Sequence, residues 1–330
     1  MTATPQKSVL QVADLHIHFP TGRHGQTVKA VNGISFQVRE GETFGVIGES
    51  GSGKTTLGRA LVSLVRPTSG KILQDGVDPS QLNRRALQTH RRQFQIIFQD
   101  PNSALNPRMK VIDAVMEPLV AIGRRDYLAM EKIALDALAR VGLTAEQARR
   151  YPHQFSGGQK QRIVIARALT LQPRVLVCDE VVAALDVSIR GEVLNLFAQL
   201  QKEFGLTYVF ITHDLSVVSH ISDRIAVMYL GCMMELGSAQ SMAEHPLHPY
   251  TQALLSAEPL PLPSHMRQDR RIILKGEIPS PMNPPAGCPF STRCPHVQSI
   301  CETEKPAWRE MEPDHWVACH LTQSPSVGNA

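Results

Sequence analysis

One nine-residue stretch constrains the fold of this 330-residue chain more than any other part. The segment GESGSGKTT runs from Gly48 to Thr56 and fits the pattern G-x-x-x-x-G-K-[ST]. It follows TFGVI, which has the character of a short buried strand, and precedes TLGRALVSLV, which has that of a helix. Glycines let a backbone wrap closely around phosphate, and a helix N-terminus favours an anion. The sequence therefore predicts a nucleotide site in an α/β fold.

The residues of this loop have distinct expected roles. Lys54 should reach the β- and γ-phosphates, and the Thr55 hydroxyl should bind Mg²⁺. The other residues supply backbone N–H groups directed at phosphate oxygens. The expected ATP contacts are Gly48, Glu49, Ser50, Gly51, Ser52, Gly53, Lys54, Thr55 and Thr56.

A second segment, RVLVCDE from Arg174 to Glu180, places two carboxylates at the end of an apolar run. Asp179 at the strand end can hold Mg²⁺ directly or through water. Glu180 is one residue further and points elsewhere, where it can polarise a water that attacks the γ-phosphate. An exposed acidic pair at a strand end is the alternative, but the preceding phosphate loop favours the catalytic interpretation.

A third segment, SGGQ, opens a helix between these two halves. Ser156 can cap that helix, and Gly157 and Gly158 leave backbone N–H groups uncovered. One chain that already has a phosphate loop does not need a second phosphate-binding helix start. We therefore expect this helix end to serve a nucleotide held by another subunit, so that the site is completed in a dimer.

In this order the phosphate loop, Gln99, FSGGQ, DE and THD resemble an ATP-binding-cassette (ABC) transporter ATPase. The resemblance implies that Phe19 stacks on adenine, that Gln99 senses Mg²⁺ and the γ-phosphate, and that His213 contacts the γ-phosphate. Glu180, His213 and Gln99 would be the catalytic residues, and Thr55, Gln99 and Asp179 would surround Mg²⁺. The partner's ATP would meet Ser156, Gly157, Gly158 and Gln159, and Asp186 in AALD would link the two sites.

The same resemblance implies an organisation for the whole chain. The fold would be an α/β P-loop NTPase with an antiparallel β subdomain, a helical subdomain and a C-terminal cysteine-containing extension. The ATPase domain would span residues 1–259, with the helical subdomain at about residues 100–165, and the extension residues 260–330. The family usually reads D-E-P-[TV]-S-A-L-D where this chain has DEVVAALD, so Val181 and Ala183 depart from its pattern. Phe155 replaces the commoner leucine before SGGQ.

The segment DPNSALNPRMKVIDAVMEPL, which begins at Asp100, has no catalytic pattern. In the resembled family it belongs to a groove that receives a short helix of the membrane subunit. Its apolar residues at near-helical spacing could form that docking surface or the core of the subdomain; they are Met109, Val111, Ile112, Val115 and Met116. The runs LNPRMKV and HPLHPYTQALLSAEP, the latter from His245 to Pro259, resemble the oligopeptide and dipeptide importer branch.

The C-terminal part carries a cluster of cysteines after a proline-rich run. Their spacing is C-x5-C-x6-C-x17-C, and they are Cys288, Cys294, Cys301 and Cys319. Clustered cysteines suggest a metal, either an iron–sulfur cluster or zinc, while independent thiols are the alternative. Similar tails in the resembled branch imply a [4Fe–4S] cluster. His315 and His320 keep zinc with mixed ligands open.

Composition excludes several other classes. The net charge of +4 is too small to indicate nucleic acid, no apolar run approaches a membrane span, and the N-terminus lacks a signal-sequence pattern. The resemblance implies a peripheral protein on the cytoplasmic face of the bacterial inner membrane. Its partners would be a second, related ATPase in a heterodimer, two permease subunits and an external substrate-binding protein. Di- or oligopeptides are the implied cargo, with nickel, glutathione or opines as alternative cargoes. A soluble ABC ATPase that acts in DNA repair or translation is the alternative class of protein.

Overall fold

The computed structural model describes residues 7–22, 26–257 and 272–323. Within these residues the strands form two sheets. The strands are β1 (Ser8–Pro20), β2 (Thr27–Arg39), β3 (Thr43–Ile47), β4 (Ser69–Gln74), β5 (Phe94–Ile97), β6 (Val175–Asp179), β7 (Thr207–Thr212), β8 (Arg224–Tyr229), β9 (Cys232–Ser238), β10 (Arg309–Glu312) and β11 (His315–Val317).

Helices separate the strands along the chain. They are α1 (Lys54–Leu61), α2 (Arg84–His90), α3 (Pro101–Ala104), α4 (Val111–Ala121), α5 (Tyr127–Arg140), α6 (Gly157–Leu169), α7 (Val187–Phe204), α8 (Leu215–Ile221), α9 (Ala239–Glu244), α10 (Pro249–Ser256) and α11 (Ser299–Thr303). None of the helices that the structure describes is both long and apolar enough to cross a membrane.

The small sheet is antiparallel with the strand order β2-β1-β4 and forms the antiparallel β subdomain that the resemblance implies. The large sheet has the order β10-β11-β9-β8-β3-β7-β6-β5. Its central part, β8-β3-β7-β6-β5, is parallel, and its inner strands are buried along their whole length. Continuous apolar runs suit strands covered on both faces, and the ends of β3 and β6 bring the two predicted halves of the nucleotide site to one edge.

The segment after Gln99 forms α3 and α4, and one part of its interpretation as a docking surface is wrong. Four of the five apolar side chains considered for that surface face inward, because α4 packs against α5 and α6 and needs them as core. They are Val111, Ile112, Val115 and Met116, none more than 4% exposed. Helical spacing identifies a face that must be covered, but it does not say whether the cover comes from the same chain.

The C-terminal region is joined to the large sheet. Strand β11 pairs antiparallel with β9, so β10 and β11 continue the sheet at its edge. A buried hydrogen bond between His315 and Glu235 supports that junction, with Nε2 and Oε1 2.8 Å apart. The linker EPLPLPSHMRQDRR and the expected boundary at residues 259 and 260 lie outside the described residues.

Candidate functional site

The phosphate loop joins β3 to α1 and depends on glycine at two close approaches. Gly53, at the start of α1, has φ +100°, and a Cβ there would lie 2.0 Å from the Ala30 carbonyl oxygen. A Cβ on Gly48 would lie 2.2 Å from the Met228 carbonyl oxygen. Only glycine fits such positions, so the loop is held tightly between β2 and β8.

Lys54 lies inside this loop and is 5% exposed. Its Nζ donates hydrogen bonds to the carbonyl oxygens of Gly48, at 2.7 Å, and Glu49, at 2.9 Å. Burial lowers the pKa of Lys54, while the carboxylates of Glu180, Asp179 and Glu49 oppose that shift. A buried cation in this loop is suited to bind a polyphosphate. The Glu49 N–H donates to Tyr250 Oη and the Ser52 N–H to the Glu49 carbonyl, so these two N–H groups have partners within the chain, which corrects the expectation that they point at phosphate.

Thr55 and Asp179 meet across the edge of the sheet. The Thr55 hydroxyl donates to Oδ1 of Asp179 at 3.1 Å. Burial raises the pKa of Asp179, and this hydrogen bond partly opposes the shift. A hydroxyl and a carboxylate side by side are hard oxygen ligands of the kind that Mg²⁺ prefers, so these residues fit the predicted metal role.

Glu180, Gln99 and His213 are brought together at the ends of three strands. Gln99 Nε2 donates to Oε2 of Glu180 at 2.8 Å, and His213 Nδ1 lies 3.2 Å from Oε1. Glu180 has φ +51°, a left-handed conformation that is costly for a residue with a side chain. The Glu180 N–H donates to the Ile211 carbonyl at 2.8 Å, which helps to hold that conformation.

The SGGQ segment begins α6 as predicted. Ser156 Oγ accepts from the Gln159 N–H at 3.3 Å, and Gln159 Oε1 accepts from the Ser156 N–H at 3.1 Å, which forms a capping box. Ser156 and Gly157 are exposed, while Gly158 is buried against Ile189. Among the hydrogen bonds of the described residues, none joins this helix start to the phosphate loop.

Phe19 lies near the end of β1, and Asp186 lies directly before α7. Phe19 pairs with Val28 near the end of β1, two residues from the Ala30 carbonyl that touches the phosphate loop. Its ring is 41% exposed. Asp186 precedes α7 and its side chain makes no capping hydrogen bond there.

The two departures in DEVVAALD leave a closed turn. Val181 is buried, and the turn is fastened by hydrogen bonds from the Ala183 N–H to the Glu180 carbonyl and from the Leu185 N–H to the Val182 carbonyl. These bonds are 3.1 and 3.2 Å long. The backbone path after Glu180 therefore does not need the usual proline.

The four C-terminal cysteines are free thiols that line one small cavity together with Phe290 and His248. Burial raises the pKa of Cys288 to about 12 and also raises the pKa of Cys294 and Cys319. The donor set matches an iron–sulfur cluster in number and kind. Within residues 7–22, 26–257 and 272–323, however, no three His, Cys, Asp or Glu side chains are arranged to hold a metal ion.

Sequence reasoning missed two residues that reach the phosphate loop from the C-terminal part of the chain. Tyr250 accepts a hydrogen bond from the Glu49 N–H, and Arg293 forms an ion pair with the Glu49 carboxylate. Arg293 is 244 positions from Glu49 in sequence, so no local pattern could have revealed this contact. Tyr250 lies in the HPY run that had served only as a sign of the importer branch.

Comparisons with known proteins identify the family of this chain. The family model "ABC transporter" matches residues 31–183, and "Oligopeptide/dipeptide transporter, C-terminal region" matches residues 234–301. The oligopeptide transport ATP-binding protein AppF of Bacillus subtilis is 50% identical over 97% of this chain and 99% of its own length. OppF of Salmonella typhimurium, with the same description, is 47% identical over 91% of this chain and 92% of its own.

Solved structures give the same result for the fold. A dimeric post-hydrolysis state of the ATP-binding cassette MJ0796, bound to ADP and Pi, has a TM-score of 0.63 at 29% identity. It covers 70% of this chain and 98% of that one. The protein cbiO1 from Clostridium perfringens, part of the ABC transporter complex cbiONQ, has a TM-score of 0.64 at 29% identity and covers 73% and 93%. This chain therefore belongs to the ATP-hydrolysing ATP-binding proteins of the ABC transporter family.

Proposed function

We propose that this chain is the motor subunit of a bacterial importer for di- or oligopeptides. The observation that carries the proposal is the union of two parts in one chain. The Gln99–Glu180–His213 cluster beside the phosphate loop is suited to hydrolyse ATP. The C-terminal part matches the oligopeptide/dipeptide transporter region, and relatives about half identical over nearly the whole chain are described as oligopeptide transport proteins.

In the proposed reaction Glu180 polarises a water molecule whose oxygen attacks the γ-phosphorus. The bond from that phosphorus to the bridging oxygen of ADP breaks, and ADP and phosphate are released. Lys54 and His213 neutralise charge on the phosphates, Gln99 orients the water, and Phe19 stacks on adenine. Thr55 and Asp179 would hold Mg²⁺, which neutralises charge on the β- and γ-phosphates when it is bound.

The exposed start of α6 supports pairing with a second, related ATPase. Ser156 and Gly157 are exposed, and the α6 N-terminus can stabilise a phosphate from outside the chain. Two subunits would then enclose two ATP molecules, and Asp186 would lie near the connection between the sites. The dimeric state of the MJ0796 cassette is consistent with this arrangement.

A groove between the large sheet and the helices supports docking of a permease subunit. It has a volume of about 430 Å³ and an apolar part lined by Leu64, Ile96, Phe98, Pro118, Ile122 and Val164. This lining replaces the inward-facing residues of α4 that the sequence had suggested. A short helix from a permease could insert Phe- or Leu-sized side chains there. Two such permeases, an external binding protein and a location at the cytoplasmic membrane face complete the proposed importer, with no role for nucleic acid.

The decisive experiment is reconstitution of the chain in lipid vesicles with the neighbouring ATPase, permeases and binding protein of its own operon. Hydrolysis should rise when the binding protein carries a di- or oligopeptide. Stimulation by nickel, glutathione or an opine instead would keep the motor role and replace the cargo. Phe98→Asp should prevent co-purification with the permeases, whereas Leu128→Asp on the exposed side of α5 should not.

We also propose that Cys288, Cys294, Cys301 and Cys319 hold a [4Fe–4S] cluster. Their shared cavity and their four free thiols support this. The proline-rich run before them has little apolar material, and a metal centre can supply folding energy to such a segment. We assign the cluster a structural role, since the proposed catalytic carboxylate, Glu180, follows β6 and is not among the residues that line the cysteine cavity.

Anaerobic purification tests the cluster. About four irons per chain and broad absorption near ~400 nm are expected, and single Cys→Ser variants should lower the iron content. Stoichiometric zinc without iron would replace the cluster by a zinc site. Native thiols that all react rapidly with an alkylating reagent would rule out both metals.

A further inference from the structure

Two residues from the C-terminal part of the chain meet the phosphate loop at one position, Glu49. Arg293 donates to both carboxylate oxygens of Glu49, from Nη1 to Oε2 at 2.6 Å and from Nη2 to Oε1 at 3.2 Å. Tyr250 Oη accepts from the Glu49 N–H at 3.0 Å. Side chain and backbone of the same loop residue are thus both fixed from outside the nucleotide-binding core.

Arg293 is fixed by burial and by contacts with neighbouring groups. Its side chain is 9% exposed and lies beside the Tyr229 ring, with 5.9 Å from Cζ to the ring centroid. Its N–H donates to the Phe290 carbonyl at 3.0 Å, and Phe290 packs between Tyr229 and Tyr250. A bidentate guanidinium with so little freedom loses little entropy when it binds a carboxylate.

The position of Glu49 creates an electrostatic problem for the loop. The loop is built to receive a polyanion, yet Glu49 adds a carboxylate two residues after the strand end. The Glu49 carbonyl accepts from Lys54 Nζ at 2.9 Å, so the Glu49 backbone belongs to the wall of the site. An unpaired carboxylate on this loop residue would repel phosphate, because charges in partly buried surroundings are weakly screened.

We propose that Arg293 is a positioning residue for ATP binding, which neutralises the Glu49 carboxylate and keeps it turned away from the phosphates. The C-terminal region would then set the affinity of the phosphate loop without touching the nucleotide. This rests on the proposed use of the loop for the triphosphate of ATP, and it adds a residue to that site from the segment that carries the cysteines.

A simpler role for Arg293 would be to anchor the C-terminal region to the core. The two roles differ in what happens when Glu49 loses its charge. If Arg293 only anchors, then removing either member of the pair should have the same effect. If Arg293 neutralises the Glu49 carboxylate, then Glu49→Gln alone should not weaken MgATP binding, and it should restore the affinity that is lost when the arginine is removed.

The test measures binding of MgATP to the full-length chain by isothermal titration calorimetry. Arg293→Met should weaken binding about tenfold, because it leaves a partly buried charge unpaired beside the phosphates. Arg293→Lys keeps the charge but loses the bidentate geometry, so its affinity should lie between that of Arg293→Met and that of the native chain. Glu49→Gln keeps the loop backbone and leaves the Arg293 charge unopposed, so it should bind MgATP about twofold to threefold more tightly. Arg293→Met with Glu49→Gln should recover to within about threefold of the native chain.

Arg39→Met is the matched control. Arg39 also links the core to the C-terminal region, through Asp314, but far from the phosphate loop in the sheet order. Its substitution should leave MgATP affinity unchanged, so a fall there would mean that docking alone controls affinity and would overturn the proposal.

Other outcomes also decide the matter. Normal MgATP affinity in Arg293→Met, or no recovery in the double variant, would overturn the inference. Binding of MgATP by the native chain would in that case still support the proposed nucleotide site. If Arg293→Met does not fold, Glu49→Gln alone decides, since a tenfold loss in that variant would show that the carboxylate helps binding. A native chain that does not bind MgATP would overturn the inference together with the proposed function.

Discussion

Two helix N-termini of the chain, those of α1 and α6, are suited to bind phosphate, but they differ in their N-caps and in their exposure. At α1 the N-cap is Gly53, with no side-chain cap, and the helix start is buried inside the loop. At α6 the N-cap is Ser156, whose side chain forms a capping box with Gln159, and the start is exposed. The first leaves its N–H groups open within the chain, while the second satisfies one of them and faces outward.

This difference separates binding from assembly. The α1 start needs glycine because backbone packs against it on two sides, and it has Lys54 within the same loop. The α6 start needs stability of its own, because nothing in the described part of the chain closes over Ser156. In the isolated chain, a larger side chain can therefore be accommodated at the start of α6. At the start of α1, even a Cβ on Gly53 would collide with the Ala30 carbonyl oxygen.

The largest effect is expected from Ser156→Arg. The arginine should leave MgATP affinity of the isolated chain within about twofold, yet abolish ATP-dependent closure of the dimer and transport, because its bulk lies where the partner's phosphate must approach. Light scattering with the partner ATPase and uptake into vesicles measure the two effects. Ser156→Thr, which can still cap the helix, should retain both activities. Lost affinity in the isolated chain would contradict a role toward the partner's nucleotide.

Glu180→Gln should separate ATP binding from ATP hydrolysis at the site that contains the phosphate loop. Hydrolysis in the assembled transporter should fall by at least ~100-fold, because the amide cannot polarise the attacking water, while ATP binding persists. Steady-state phosphate release and calorimetry measure the two quantities. Glu203→Gln, at the surface in an ion pair with Arg140, is the control and should hydrolyse normally. Near-normal turnover in Glu180→Gln would place the catalytic base elsewhere or make this site non-hydrolytic.

Paired glycine substitutions compare the two helix starts directly. Gly53→Ala should cost about 2–4 kcal/mol of stability, since the new Cβ meets a carbonyl oxygen at 2.0 Å and the backbone has φ +100°. Gly157→Ala should change the stability of the isolated chain by less than about 0.5 kcal/mol, because its Cβ would meet only Leu185 at 3.8 Å. Urea unfolding measures both, and equal losses would show that the two starts are built alike.

The sequence predicted those elements whose chemistry is local. The phosphate loop, the strand that ends in Asp179 and the cap at Ser156 each lie within about ten residues, so a pattern could place each on the correct strand or helix. The meeting of Gln99, Glu180 and His213 followed only because the resemblance supplied their order. Parallel strands then bring their carboxyl ends to one edge.

What the sequence could not predict depends on faces and distant contacts. The spacing of apolar residues in α4 is compatible with either a docking surface or a buried face. In the structure this face is buried, because it packs against α5 and α6. The left-handed conformation of Glu180 has no local signal, because it is imposed by the turn and by the bond to Ile211. The ion pair of Arg293 with Glu49 joins parts 244 residues apart, which no periodicity can reveal.

The smallest effect should come from Ser156→Ala, which removes the cap but adds no bulk. The Gln159 N–H would lose its partner, and loss of a serine cap typically costs about 1 kcal/mol. Amide exchange of residues 157–160 should accelerate about fivefold where it follows opening of this helix end, while exchange at the α1 start stays unchanged. Hydrogen-exchange mass spectrometry of the isolated chain measures this. Unaltered exchange at α6 would mean that its start does not depend on the cap, and the contrast with α1 would then rest on exposure alone.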